Sequence, residues 1–126
     1  MDNLKKRIAS FQNAWKGILH GFKSEVHFRF HVLAALIAIA LAVFFKITRI
    51  EWMIVLLCIA AVLSSELLNT AVERICDRIT KDRDPLIGNA KDLAAGSVLI
   101  ISAITLIIGA IIFTPYIVQL VQVIHK

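Results

Sequence analysis

A chain of 126 residues with a net charge of +5 at pH 7 has room for one domain, 1–126, and its 59% hydrophobic content exceeds what a soluble domain carries. Soluble domains run at about 45–50%. The mean hydropathy of +0.80 leads to the same expectation, an all-α integral membrane protein. Cys58 and Cys76 show no CxxC or other metal spacing, so no disulfide framework or zinc site is read from them, and both are expected to be small buried thiols.

In chain order, the first element is amphipathic. Leu4, Ile8, Phe11, Trp15, Ile18 and Phe22 recur at helical spacing, and lysines and an arginine border the stripe. The pattern predicts a surface helix over 1–23, lying in the membrane interface with Trp15 as an anchor. No cleavable leader is expected, because this stretch lacks an apolar h-region. A turn near Gly21–Ser24 leads to the segment E-V-H-F-R-F-H, where Glu25 and Arg29 stand four apart and are read as an interfacial ion pair.

Three apolar runs follow, over Val32–Phe45, Trp52–Leu63 and Leu93–Phe113. Only the third reaches the roughly 20 residues that cross a bilayer unaided. The first two must draw on mixed flanking sequence, which predicts membrane helices over about 28–45, 52–77 and 93–114. Lys46–Arg49 forms a tight connection, and Thr80–Gly88 is a charged loop in which Pro85 and Gly88 act as breakers. Pro115 should end or kink the last helix near Thr114, with an apolar tail beyond. Basic residues concentrate in the N-terminal segment and after the second span. The positive-inside rule therefore puts both in the cytoplasm, with the chain in the cell membrane as a multi-pass protein.

The second span ends in a polar row. Glu66, Asn69, Glu73 and Asp77 fall within about 60° of one helix face. A carboxylate at the end of an apolar run is costly and ordinarily lines a bundle interior or a site. Glu25, Asp82, Asp84 and Asp92 add acid on the same predicted side, and Lys91 precedes Asp92 at the start of the third span. Carboxylates beside cationic loops suit magnesium with phosphate, since that ion takes one or two carboxylates and keeps phosphate oxygens. A solvated charge face explains the same residues equally well. The glycines form neither GxxxxGK nor GxGxxG, the histidines form no HExxH, and His27 and His31 lack further ligands. Basic residues do not alternate with aromatics, which argues against nucleic acid. A small channel or proton-coupled transporter would spread its carboxylates across the membrane depth, whereas these gather near one face. A structural subunit would use the acidic row as glue, but that leaves the charged loop and the Lys91–Asp92 pair unexplained. With few helices to shield ionisable residues, the chain is expected to oligomerise.

The segment E-L-L-N-T-A-V-E-R-I-C-D-R and the later A-K-D-L-A-A-G, with A-W-K-G and E-x-x-F-R upstream, resemble the signature of the prokaryotic diacylglycerol kinase family. The resemblance covers nearly the whole chain. It implies a homotrimeric helical bundle with one surface helix and three transmembrane helices per subunit and sites between subunits. It implies a lipid kinase using ATP and Mg2+. By that likeness Glu66 is the catalytic carboxylate, supported by Asn69, and Glu25 and Glu73 hold the metal of MgATP. Asp77, Lys91 and Asp92 line the nucleotide, Asp82, Arg83 and Asp84 meet its adenosine end, and Lys6 and Asn13 add N-terminal contacts. Ser10, Asn13, Ala14 and Trp15, with Phe28, Arg29, Phe30 and His31, align with the lipid-facing groove. Phe30-His31 replaces the Gln-Glu pair of the proteobacterial members, and Ala94-Ala95 replaces their Gly-Ser pair. Both features resemble the Gram-positive branch, which implies undecaprenol as acceptor in preference to diacylglycerol.

Overall fold

The computed structural model describes residues 2–80, 82 and 84–125, with Asp2 by its backbone alone. It contains four helices, α1 (Asp2–Ser24), α2 (Val26–Phe45), α3 (Arg49–Ile79) and α4 (Pro85–Ile124). Helices α2, α3 and α4 are long and apolar enough to cross a membrane. At about 1.5 Å per residue, α3 spans roughly 46 Å and α4 roughly 60 Å. Both outrun the roughly 30 Å hydrocarbon layer, so their polar ends stand clear of it.

Helix α3 is the axis of the bundle. It packs against α4 over a longer stretch than against α2, while α1 touches α2 and α3 only near its own C-terminus. There Gly21 is buried, and a Cβ at this position would stand 2.7 Å from the Leu67 side chain of α3. The absent side chain is what lets α1 lie so close. Along the rest of α1 the stripe of Leu4, Ile8, Phe11 and Trp15 is exposed, facing away from the other helices. That arrangement suits a helix whose apolar face meets lipid.

The packed core sits at the α2–α3 turn. Ala42, Ile47, Val55, Ile112 and Phe113 are buried together, with Phe45, Trp52 and Tyr116 against them. Lys46 closes α2 in the left-handed region, at φ 51°, and the Ile47 N–H reaches the Ala42 carbonyl. Thr48 then opens α3 with a reciprocal cap: its hydroxyl accepts from the Glu51 N–H while the Glu51 carboxylate accepts from the Thr48 N–H at 2.7 Å.

Three features depart from the sequence expectations. Of the stop or kink expected near Thr114 the stop is absent, and the apolar tail continues as helix α4 through Pro115 to Ile124. Beyond the proline, Tyr116 donates to Glu51 Oε2 at 2.8 Å and its ring lies 5.7 Å from Phe45. These contacts hold the next turn helical although proline removes one backbone hydrogen bond. At the other end, Pro85 starts α4 and does not break the chain. It occupies the first turn, and Asp84 caps it by accepting from the Leu86 and Ile87 N–H groups. The third departure is the partner of Glu25, which is Arg74 of α3 and not Arg29.

Candidate active site

The polar row on α3 begins inside the bundle. Glu66 is only 5% exposed, and Thr70 beside it is 9% exposed. Neither ion pair among the described residues involves Glu66. One turn further, the Asn69 amide donates from Nδ2 to Glu73 Oε1 at 3.1 Å, while Asn69 Oδ1 is buried without a partner. A buried carbonyl oxygen left unpaired is costly, and such an atom is common where a ligand or ion completes the set. Glu73 and Asp77 stand in the last turns of α3, where the helix dipole already carries negative charge. Asp77 receives an ammonium from Lys91 of α4 at 2.8 Å. Glu73 forms no ion pair among the described residues.

Glu25 arrives from the junction of α1 and α2. It is the residue before α2, yet its side chain does not cap that helix. It accepts instead from Arg74 Nη2 at 2.7 Å and from the Ser24 hydroxyl at 3.0 Å. Hydrogen bonds from Arg74 first, and Ser24 second, hold the Glu25 carboxyl below the usual carboxylate range, so it is ionised at neutral pH. Arg74 also donates to Ser24 Oγ at 2.8 Å and meets His20 Nε2 through its other terminal nitrogen. The end of α1, the start of α2 and the middle of the polar row are thus fastened by one guanidinium.

Beyond the row opens a cleft of about 640 Å³ between the end of α3 and the start of α4. Asp77, Thr80, Asp82, Asp84, Pro85, Ile87, Gly88 and Lys91 line it. Among the described residues its lining carries three carboxylates and one ammonium.

The chain thus brings Glu66, Asn69, Glu73, Asp77 and Lys91 onto one flank, with Glu25 joined to it through Arg74. Asp82 and Asp84 lie in the cleft, and Asp92 is exposed outside its lining. Arg83, also expected here, lies outside the described residues. Lys6, Ser10, Asn13, Ala14 and Trp15 stand exposed along α1. Lys6 is roughly 27 Å from Ser24 along that helix, so a single chain does not bring it to Glu66 or Glu73. Phe28 is buried beside Gly21, Arg29 and Phe30 are exposed, and His31 is half-buried. Sequence reasoning missed His20, Ser24 and Arg74, whose roles depend on contacts about fifty positions away in the chain.

The donors at the row are hard oxygens, as magnesium requires. Glu73, Asn69 Oδ1 and the second oxygen of Glu25 are the atoms suited to such an ion. Among the described residues no cluster of three His, Cys, Asp or Glu residues forms a protein cage. An ion held by one or two carboxylates and phosphate oxygens needs none.

The sequence profile of the family described as prokaryotic diacylglycerol kinase matches residues 12–113. The undecaprenol kinase of Bacillus subtilis is 40% identical over 114 residues, covering 90% of this chain and 93% of the relative. The diacylglycerol kinase of Haemophilus influenzae is 38% identical over 107 residues, covering 84% and 91%. That of Escherichia coli is 30% identical over 99 residues, covering 79% and 81%. With the profile spanning most of the chain and these relatives matched over most of their own lengths, this protein belongs to the prokaryotic diacylglycerol kinase family.

Proposed function

We propose that this protein is a membrane lipid kinase that transfers the γ-phosphate of ATP to the hydroxyl of undecaprenol. The observation that carries the reading is Glu66, a buried carboxylate with no ion pair among the described residues, just past the apolar run of α3. A lipid alcohol keeps its tail in the bilayer and its hydroxyl at the interface. A base at that depth takes the hydroxyl proton as the oxygen attacks the γ-phosphorus. Such help is worth about 10²–10⁴ in rate.

Asn69 orients the row through its bond to Glu73. Glu25 and Glu73 would hold Mg2+, which supplies neutralisation of phosphate charge when bound. Phosphoryl transfer requires mainly positioning and such neutralisation. Lys91 stands between the row and the cleft, placed to meet a phosphate oxygen. Asp82 and Asp84 in the cleft would meet the nucleoside end, with Arg83 and Asp92 as further nucleotide contacts in this reading. Lys6 and Asn13 would reach the nucleotide from a neighbouring subunit of a homotrimer. The positive-inside bias supports a site on the cytoplasmic side. Ser10, Ala14 and Trp15 with Phe28, Arg29, Phe30 and His31 would form the lipid groove.

Undecaprenol is favoured over diacylglycerol by the Bacillus subtilis relative and by Phe30-His31 and Ala94-Ala95. Diacylglycerol is the second reading, since other relatives carry that name. The test offers both lipids with radiolabelled ATP in detergent micelles to unmutated and Glu66→Gln protein. We expect undecaprenol to be preferred and Glu66→Gln to lose turnover by roughly 10²–10⁴ with ATP affinity little changed. An unmutated rate in Glu66→Gln overturns the mechanism. A clear preference for diacylglycerol overturns the substrate. Mass measurement in mild detergent should give three chains, and an active monomer would overturn the trimer.

A further inference from the structure

Arg74 Nη2 donates to Glu25 Oε1 at 2.7 Å, and Ser24 Oγ lies 3.0 Å from the same oxygen, its one proton shared between that oxygen and the His20 carbonyl at 2.8 Å. Oε2 receives no hydrogen bond from the described residues, and the side chain makes no cap to the helix it precedes. Its side chain turns instead to a guanidinium that is itself fixed at three points, on His20, Ser24 and Glu25. The anchor is rigid at both ends. Arg74 follows Glu73 directly in α3, and the α1 side is seated by Gly21 on Leu67.

We infer that Arg74 is a positioning residue that holds Glu25 by Oε1 and so leaves Oε2 for the divalent cation of the site. The inference rests on the proposed metal role of Glu25 and Glu73. The guanidinium fixes the rotation of the Glu25 carboxylate and supplies positive charge beside it. Outer partners that orient a metal-binding group typically govern 10–100-fold in metal affinity or activity. A lysine in place of Arg74 restores the charge without the planar fork that lets one side chain bond several acceptors.

The test measures Mn2+ binding by electron paramagnetic resonance on the full chain in detergent, with a non-hydrolysable ATP analogue. The variants are Arg74→Gln, Arg74→Lys and Ser24→Ala. We expect Mn2+ affinity to fall roughly 10–100-fold in Arg74→Gln, and less in Arg74→Lys and Ser24→Ala. In turnover assays the Mg2+ requirement should rise in the same order, with the maximal rate largely regained at high Mg2+. Trypsin cleavage after Lys23, beside the junction, reports whether α1 has merely come loose. Faster cleavage in Arg74→Gln with unchanged Mn2+ affinity overturns the inference, for then Arg74 only ties α1 to α3. If Arg74→Gln does not fold, unchanged affinity in both Arg74→Lys and Ser24→Ala overturns it equally. Should the unmutated protein bind no Mn2+ with the analogue, the metal reading itself fails and this inference falls with it.

Discussion

The two ends of the bundle solve opposite problems. At the α2–α3 turn the carboxylate of Glu51 is fully engaged. Glu51 accepts from Thr48 and Tyr116, and the rings of Phe45, Phe113 and Tyr116 close over Ala42 and Ile47. At the far end of α3 the packing is thinner. Glu66 is buried without an ion pair, Asn69 Oδ1 has no partner, and a cleft stands open between helices. The contrast teaches where this protein keeps its stability and where it keeps its unspent polar groups. One end holds the helices in register so that the other can leave polar atoms available.

The largest effects should separate these roles. Glu66→Gln should abolish most turnover while the unfolding midpoint in detergent stays put. Phe113→Ala should do the reverse, destabilising the bundle by on the order of 3 kcal/mol while turnover per folded molecule is retained. A loss of activity in Phe113→Ala beyond its loss of folded protein would break the division between the ends. Next comes Glu73→Gln. We expect it to raise the Mg2+ concentration for half-maximal turnover by at least the ~10-fold typical of outer partners, without unfolding. Unchanged Mg2+ dependence in Glu73→Gln and Glu25→Gln would remove both from the metal site. The smallest effect belongs to Tyr116→Phe. It deletes one hydrogen bond to Glu51 and keeps the ring against Phe45, so the midpoint should fall by less than in Phe113→Ala, with turnover unchanged. Hydrogen exchange over 115–124 is the sharper measurement, because the turn after Pro115 should open first.

Much of this was legible in the sequence, for identifiable reasons. Apolar runs placed α2, α3 and α4, and the i, i+3, i+4 stripe placed α1, because both patterns are local. The row from Glu66 to Asp77 was readable as one face for the same reason. Past Pro115 the sequence leaves a stop, a kink and a helical tail all open, since the outcome depends on Tyr116 meeting Glu51 across the bundle. The start of α4 was misread for a subtler cause. Asp84-Pro85 is a cap followed by a first-turn proline, yet in a charged loop the proline looks like a stop. The Thr48–Glu51 cap has the right spacing and was passed over. The bond between Glu25 and Arg74 had no local signal, and Arg29, four residues away, was the nearer candidate.

The cap at Thr48 has a consequence for the membrane itself. It pins the start of α3, and from Arg49 to Glu66 the helix runs about 26 Å at 1.5 Å per residue. That is close to the roughly 30 Å of hydrocarbon in a typical bilayer. With its zero mark at one interface, helix α3 is then a ruler that carries Glu66, the proposed base, near the other. In a thicker bilayer Glu66 would sink below the level of the lipid hydroxyl unless α3 stood more upright. Turnover in vesicles of graded acyl-chain length should therefore pass through a maximum, and the thickness at that maximum would report the depth at which the proton is taken.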